Sequence, residues 1–301
     1  MYHYKTITEF HDYGNLPKPQ HLLISLVDYS RVSYETDSDK IKWVQDFYAI
    51  GLKRNVSGKF NYGQQQYDFN EGLLTFVAPQ QVLSIEINRN VTVNASGWLL
   101  LIHPDFLWNT QLAKIIKKYN FFGYDVNEAL FLSDKEEKII IELFKNIQQE
   151  YQSNIDKFSE NIIISQIELL LNYAERYYER QFITRKIGNS QILIKLEKTL
   201  NEYFNKENGL DKGIPTVKQI AEKLDLSPNY LSSMLKFFTG QSTQQHIHNK
   251  LIERAKEKLS TTEISISEIA YELGFEHPAS FSKLFKNKTN SSPKQFRQSF
   301  N

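Results

Sequence analysis

The 301-residue chain contains no cysteine. That absence removes disulfides, thiolate zinc sites and a cysteine nucleophile together. No stretch approaches the roughly 18 consecutive apolar residues of a membrane span. The opening Met1-Tyr2-His3-Tyr4-Lys5-Thr6 has no apolar core of the kind a secretory leader needs. The expectation is a cytoplasmic protein with no membrane partner. Net charge is nearly absent too, at +1, so the overall balance singles out no partner. Its distribution is uneven: residues 190–301 hold 16 Lys+Arg against 12 Asp+Glu, and the remainder 20 against 23. The last 25 residues carry Lys283, Lys286, Lys288, Lys294 and Arg297 with no acid, a kind of run that is often a solvated face.

A hydrophobic content of 41% supports a substantial core, and the length favours about two domains. From about residue 20 to 105 the chain reads as short β-branched or aromatic runs: His21 to Val27, Phe47 to Leu52, Leu73 to Val77, Val82 to Ile87 and Trp98 to Ile102. Gly, Asn, Pro and Asp separate them, which predicts a small antiparallel β-barrel over residues 1–132. Tyr48, Tyr62, Tyr67, Phe69 and Trp98 are its candidate effector-binding residues, with ordinary core packing as the alternative.

The period then changes. Ser133-x-x-Glu136 predicts a capped helix with Ile139, Ile140, Leu143, Phe144 and Ile147 on one face. A second helix is expected over 158–182. Its stripe Ile163, Ile167, Leu170, Ala174 and Tyr177 adjoins another of Ile164, Leu171 and Tyr178. Either both pack within the monomer, or the stripe of Ile163, Ile167, Leu170 and Ala174 meets a second subunit; residues 133–183 are therefore a candidate dimerisation region. Thr184 to Ser190 reads as a linker, and a helix over about 191–206 opens a third region, 190–301.

That last region says the same thing twice. Thr216-x-x-Gln219-Ile220-Ala221-x-x-Leu224-x-Leu226 returns, 49 residues on, as Ser265-x-x-Glu268-Ile269-Ala270-x-x-Leu273-Gly274-Phe275. Pro228, Leu231, Ser232, Leu235, Lys236 and Thr239 then recur at an offset of 50 as Pro278, Phe281, Ser282, Phe285, Lys286 and Thr289. Each copy reads as a capped helix, a tight turn and a second helix opened by proline, the outline of a helix-turn-helix. Fixing the core face of each second helix leaves Asn229, Ser232, Ser233 and Lys236 on the opposite side of the first, and Ala279, Ser282, Lys283 and Lys286 on that of the second. Short polar residues with lysine at the far end suit base edges and phosphates, and Ala279 suits a thymine methyl. His277, just before Pro278, is placed to cap its helix and approach a phosphate. Ser242-x-x-Gln245 predicts a connecting helix to about Leu259, buried through Ile247, Leu251, Ala255 and Leu259.

The string Ala255-x3-Leu259, Ile266-x-x-Ile269-Ala270-x3-Gly274-Phe275, Phe281-Ser282-Lys283-x-Phe285-Lys286 and Ser292-Pro293-x-x-Phe296-Arg297 resembles the AraC/XylS family of bacterial transcription regulators. The resemblance implies a double helix-turn-helix domain, sequence-specific binding of double-stranded promoter DNA and contact with RNA polymerase. Family members often carry an N-terminal cupin-like barrel that senses a small-molecule effector, followed by helices that form a homodimer. The expected fold is thus α+β and multidomain: a cupin-like antiparallel β-barrel, following helices and an all-α double motif. The chain departs from the family pattern at Ser280, where an aromatic is frequent, at Lys283 for arginine and at Asn290 for glycine. Ser232 and Ser233 stand where larger side chains are frequent.

An activator is expected, not an enzyme, with no cofactor and no metal. A repair methyltransferase of this construction needs a cysteine. A metal-dependent cupin needs clustered histidines, and the barrel region holds only His21 and His103, far apart in sequence. His246 and His248, two apart on a helix, point different ways. The rival reading of the N-terminal part is an interaction module without a ligand.

Overall fold

A computed structural model describes residues 2–32, 40–54, 61–62, 65–66, 72–86, 96–124, 128–153, 157–184, 186–205 and 213–299. The chain divides into two compact units, Met1–Thr184 and Arg185–Asn301.

The first unit begins with β1 (Tyr2–Tyr4) and α1 (Ile7–Tyr13), followed by β2 (Ile24–Asp28), β3 (Lys40–Gln45), β4 (Tyr48–Arg54), β5 (Asn61–Tyr62) and β6 (Gln65–Gln66). Then come β7 (Leu73–Val77), β8 (Leu83–Glu86), β9 (Ser96–Ile102), α2 (Gln111–Ile115), β10 (Leu130–Phe131), α3 (Asp134–Gln152) and α4 (Lys157–Thr184). Five antiparallel strands form one sheet in the order β10-β7-β4-β9-β2. A second has the order β1-β3-β8, with β1 parallel to β3, and β5 pairs β6. Closing a barrel requires one continuous ladder around the axis. Among the described residues no strand pairs into both sheets, so neither sheet closes; open sheets stand where a barrel was expected.

Register decides what each face of the large sheet meets. Tyr48, Ile50 and Leu52 stand opposite Ile102, Leu100 and Trp98, and Ile50 and Leu52 also oppose Phe76 and Leu74. This face carries the helices: Trp98 stacks on Phe144 of α3 at 6.0 Å between centroids, and Phe76 lies 6.4 Å from Tyr178 of α4. The other face gives Val27, Ala49, Leu99 and Leu101 to a core shared with Tyr4, Ile7, Phe10, Trp43 and Leu83 of β1, α1, β3 and β8. Gly97, at φ +126°, lies where a Cβ would come within 2.0 Å of the Leu52 carbonyl oxygen, so β9 passes β4 only with glycine there.

Helix α3 starts at the expected cap, the Ser133 N–H donating to the Glu136 carboxylate at 2.9 Å. Ile140, Leu143, Phe144 and Ile147 are buried, whereas Ile139 is an exposed flank. Arg180 of α4 ties the two helices through Nε and Nη2 bonds of 3.0 and 2.6 Å to Glu136, and Nη2 also donates to the Phe131 carbonyl at 2.7 Å. Gln181 completes the edge of β10, accepting from the Phe131 N–H at 2.9 Å and donating to the Ala129 carbonyl at 3.3 Å. A buried side-chain amide thus takes the place of a neighbouring strand.

Ile163, Ile167, Leu170 and Ala174 are no more than 1% exposed in the single chain, and Ile164, Leu171 and Tyr178 are also buried. Both stripes pack inside the unit, so the four residues expected at a subunit interface are not available to one. A third stripe remains on the surface of α4: Ile162, Leu169 and Ile183, at multiples of seven.

The second unit holds α5 (Lys186–Asn205), α6 (Val217–Lys223), α7 (Pro228–Thr239), α8 (Thr243–Thr261), α9 (Ile266–Glu272), α10 (Pro278–Thr289) and α11 (Pro293–Gln298). Helix α5 begins at Lys186, inside the segment expected to be a linker. Gly188 and Asn189 weaken a helix by up to about 1 kcal/mol each without breaking it.

Candidate nucleic-acid interface

The two motifs have matching construction. In the first, the Gln219 N–H donates to Thr216 Oγ1 at 3.2 Å and the Thr216 N–H to Gln219 Oε1 at 2.9 Å. In the second, Glu268 and Ser265 make the same reciprocal bonds at 3.1 and 2.6 Å. The Ser265 side-chain and backbone bonds hold the Glu268 carboxyl below its ordinary pKa. Both turns then close identically, Leu226 N–H onto the Ala221 carbonyl at 3.1 Å and Phe275 N–H onto that of Ala270 at 3.0 Å. The left-handed residue each turn needs is Asp225 at φ 55° and Gly274 at φ 86°.

Ala221 and Ala270, fully buried, let each first helix lie close against the second. Ile220, Leu231, Met234 and Leu235 close one core, and Ile269, Phe281 and Phe285 the other. Ser227 caps α7, accepting from the Tyr230 N–H at 3.2 Å, with Pro228 in the first turn. At α10, His277 occupies the N-cap position but makes no side-chain cap bond, and its ring is exposed. Both helices end in a left-handed residue, Gly240 at φ 71° and Asn290 at φ 58°. Asparagine thus fills the place where family members usually have glycine.

The duplication runs one helix further than the aligned string. Gln245 N–H donates to Ser242 Oγ at 3.4 Å to open α8, and Gln295 N–H donates to Ser292 Oγ at 3.2 Å to open α11. The second box is legible in the sequence as the first shifted by 50.

Helices α7 and α10, the recognition helices of this arrangement, turn their unburied sides outward. Asn229 and Lys236 are exposed on α7, and Ala279, Lys283 and Lys286 on α10. Ser233 and Ser282 are half-buried. Ser232 is half-buried too and sits 2.9 Å from the Thr243 hydroxyl, so it faces the start of α8 as well as the surface. Three lysines on the supporting helices are paired: Lys218 with Glu222 at 3.9 Å, Lys250 with Glu253 at 2.9 Å and Lys258 with Glu272 at 2.7 Å, whereas Lys223 and Lys256 lie over the Tyr203 and Phe296 rings. Among the described residues no carboxylate lies within ion-pair distance of Lys236, Lys283 or Lys286. These three lysines stand on the two outward faces, where their charge suits phosphate.

Between the motifs α8 buries Ile247, Leu251, Ile252, Ala255 and Leu259. Its 19 residues span roughly 28 Å at about 1.5 Å each, comparable with the roughly 34 Å between successive major grooves on one side of a duplex.

The other candidate positions fall elsewhere. Tyr48 and Trp98 face the helical layer of the first unit: Tyr48 packs on Phe122 at 5.1 Å, and Trp98 stacks on Phe144. Of Tyr62 only the backbone in β5 is described, and Tyr67 and Phe69 lie outside the described residues. His103 Nδ1 accepts from the Asp105 N–H at 3.3 Å, a strand-end cap, and His21 accepts from the Leu23 N–H at 3.2 Å. His246 and His248 take different partners, Thr239 Oγ1 and the Gln244 side-chain amide, each at 2.9 Å. Burial lowers the pKa of both rings. Among the described residues no three His, Asp or Glu side chains gather as a metal site. No described helix is long and apolar enough to cross a membrane.

Comparison with known proteins bears on the same segment. A family model described as a helix-turn-helix domain matches residues 220–299. An uncharacterized HTH-type transcriptional regulator in the cgkA 5' region of Pseudoalteromonas carrageenovora is 32% identical over 115 residues, which cover 38% of this chain and 63% of that protein. The HTH-type transcriptional activator RhaS of Escherichia coli is 25% identical over 260 residues, 84% of this chain and 86% of that one. Among solved structures, the C-terminal domain of the two-component response regulator yesN from Fusobacterium nucleatum is 35% identical, covering 34% of this chain and 93% of that one with a TM-score of 0.30. Residues 220–299 are thus a helix-turn-helix domain of the AraC type, and the chain is similar through it to AraC/XylS transcription regulators.

Proposed function

We propose that the protein seats α7 and α10 in successive major-groove segments of promoter DNA and works in the cytoplasm as a homodimeric activator that contacts RNA polymerase. The observation that carries the DNA reading is the pair of matched outward faces on α7 and α10, each carrying lysine that has no carboxylate neighbour among the described residues, with α8 between the two motifs. Asn229, Ser233, Ala279 and Ser282 are assigned to base edges, and Lys236, Lys283, Lys286 and His277 to phosphates or bases. Ser232 is assigned to base edges too, with a reach limited by its Thr243 partner. Contacts with RNA polymerase are carried over from the family, and the activating sign from the transcriptional activator RhaS.

In this reading residues 1–132 form a cupin-like sensing region, 133–183 the dimerisation region and 190–301 the DNA-binding domain. The exposed stripe Ile162, Leu169 and Ile183 is the subunit contact, in place of the buried one. A second reading makes the N-terminal unit an interaction module with no effector, and the packing of Tyr48 and Trp98 against core aromatics favours it.

The test is selection of duplexes from a random pool by the full-length protein, followed by titration of variants. Lys286→Ala should weaken binding to all sequences and lower the salt slope by about one, whereas Asn229→Ala or Ser282→Ala should change the preference between sites by about 1 kcal/mol or more. Binding unchanged in all three variants excludes these two faces as the contact surface.

A further inference from the structure

Both recognition helices are tied at their C-terminal ends to one side chain of α8. Asn249 Nδ2 donates to Gln241 Oε1 at 2.7 Å, just beyond the Gly240 cap of α7. Its Oδ1 accepts from Lys288 Nζ at 3.1 Å, in the last turn of α10. A carboxamide has one donor group and one acceptor, and here each is given to a different motif. We propose that Asn249 is a positioning residue that sets the pose of α10 relative to α7, and with it the separation of the DNA segments the protein accepts.

The argument is one of directionality. Ile247, Leu251, Ala255 and Leu259 bury α8 against its neighbours, but apolar burial follows area and fixes an angle only weakly. Hydrogen bonds weaken steeply when their angle is lost, so two on one planar amide resist rotation of either motif about α8. The first motif has a further tie beside this one, the Thr239 hydroxyl 2.9 Å from His246 Nε2 on α8. Both this threonine and its equivalent Thr289 donate to the carbonyls four residues back and two ahead, Leu235 and Gln241 at 2.7 and 3.4 Å and Phe285 and Ser291 at 2.8 and 3.0 Å, so the histidine contact is the addition in the first motif. Lys288 to Asn249 supplies a side-chain hydrogen bond between the end of α10 and α8. Asn249 itself is exposed, which makes its replacement harmless to the core.

The proposal rests on the DNA reading, and the experiment separates the two. The probe is the duplex that the wild-type full-length protein selects from a random pool, together with versions carrying one base pair inserted or deleted between the two segments located by footprinting. Asn249→Ala should lose about five-fold in affinity for the selected duplex, the scale of a single surface hydrogen bond or two. Its preference for that duplex over the altered-spacing versions should narrow by a similar factor, with the salt slope unchanged. Gln241→Ala should do the same, and the double variant should lose little more than either single one. Asn249→Gln, which keeps donor and acceptor one methylene further out, should recover part of the discrimination. Undiminished spacing discrimination in Asn249→Ala overturns the proposal while leaving the DNA reading intact, as does a uniform loss with a flatter salt slope. A wild-type protein that selects no duplex overturns the DNA reading first, before any variant is compared.

Discussion

Among single residues His11 illustrates how a buried polar group is made safe and what that implies for pH. Its Nδ1–H donates to the Pro17 carbonyl at 2.6 Å, and Nε2 lies 2.9 Å from the Ser25 hydroxyl, an arrangement for a neutral ring. Burial lowers its pKa, against a smaller upward pull from the Pro17 bond and Asp12. The unfolded chain, with an ordinary histidine pKa of about 6.5, then binds more protons than the folded one in the window below that value. Stability is fully present above that pH and falls as pH drops through it towards the lowered folded value. Urea unfolding between pH 7.5 and 5 should show this loss, shallower in His11→Gln; an equal slope in both would assign it to His246 and His248, which shift the same way. Gly274 carries a different constraint. At φ 86°, with an added Cβ only 2.5 Å from the Gly213 carbonyl carbon, Gly274→Ala meets both backbone strain and a backbone clash. A loss of about 2–4 kcal/mol in the second unit is expected, read as a lower melting temperature and weaker DNA retardation. Left-handed turn residues were legible at Asp225, Gly274 and Asn290 because their chemistry is local. The close approach of Gly213 was not, since 61 residues separate the two glycines.

Elements whose signals lie within one helix or strand were also legible. Periodicity and caps place α3, α4, α6 to α10 and five of the strands within a few residues of where they stand. Helix α1 too is written locally, since Thr6 and Glu9 form its capping box, with the Glu9 N–H donating to Thr6 Oγ1 at 3.1 Å. Strand β10 is two residues long and is completed by a side chain 50 residues away, which no local pattern encodes. Gln181→Leu removes both bonds to that strand and leaves the Phe131 N–H and the Ala129 carbonyl without this partner. The cost should be about 2–4 kcal/mol, and amide exchange at Phe131 should accelerate. Unchanged protection there would show that the edge is held by β7 alone.

At the level of the whole molecule the decisive question about α4 is which of its apolar stripes is available. Ile167→Asp places a charge in a fully buried position and should unfold the first unit, lowering its stability by several kcal/mol. Ile162→Asp with Leu169→Asp changes only exposed positions and should leave folding intact while halving the mass seen by sedimentation. A mass unchanged by that double replacement excludes the stripe as the subunit contact. Taken alone, the sequence determined the double helix-turn-helix and the side of each recognition helix that looks outward. Those features follow from caps, left-handed turns and a 3.6-residue period, each complete within about twelve residues. Tertiary structure decided that the strands form open sheets, that Tyr48 and Trp98 turn towards helices, and that the expected interface stripe of α4 lies inside. The first two depend on long-range pairing register, and a one-residue change of register exchanges the two faces of a strand without altering its composition; the third depends on which elements pack against α4.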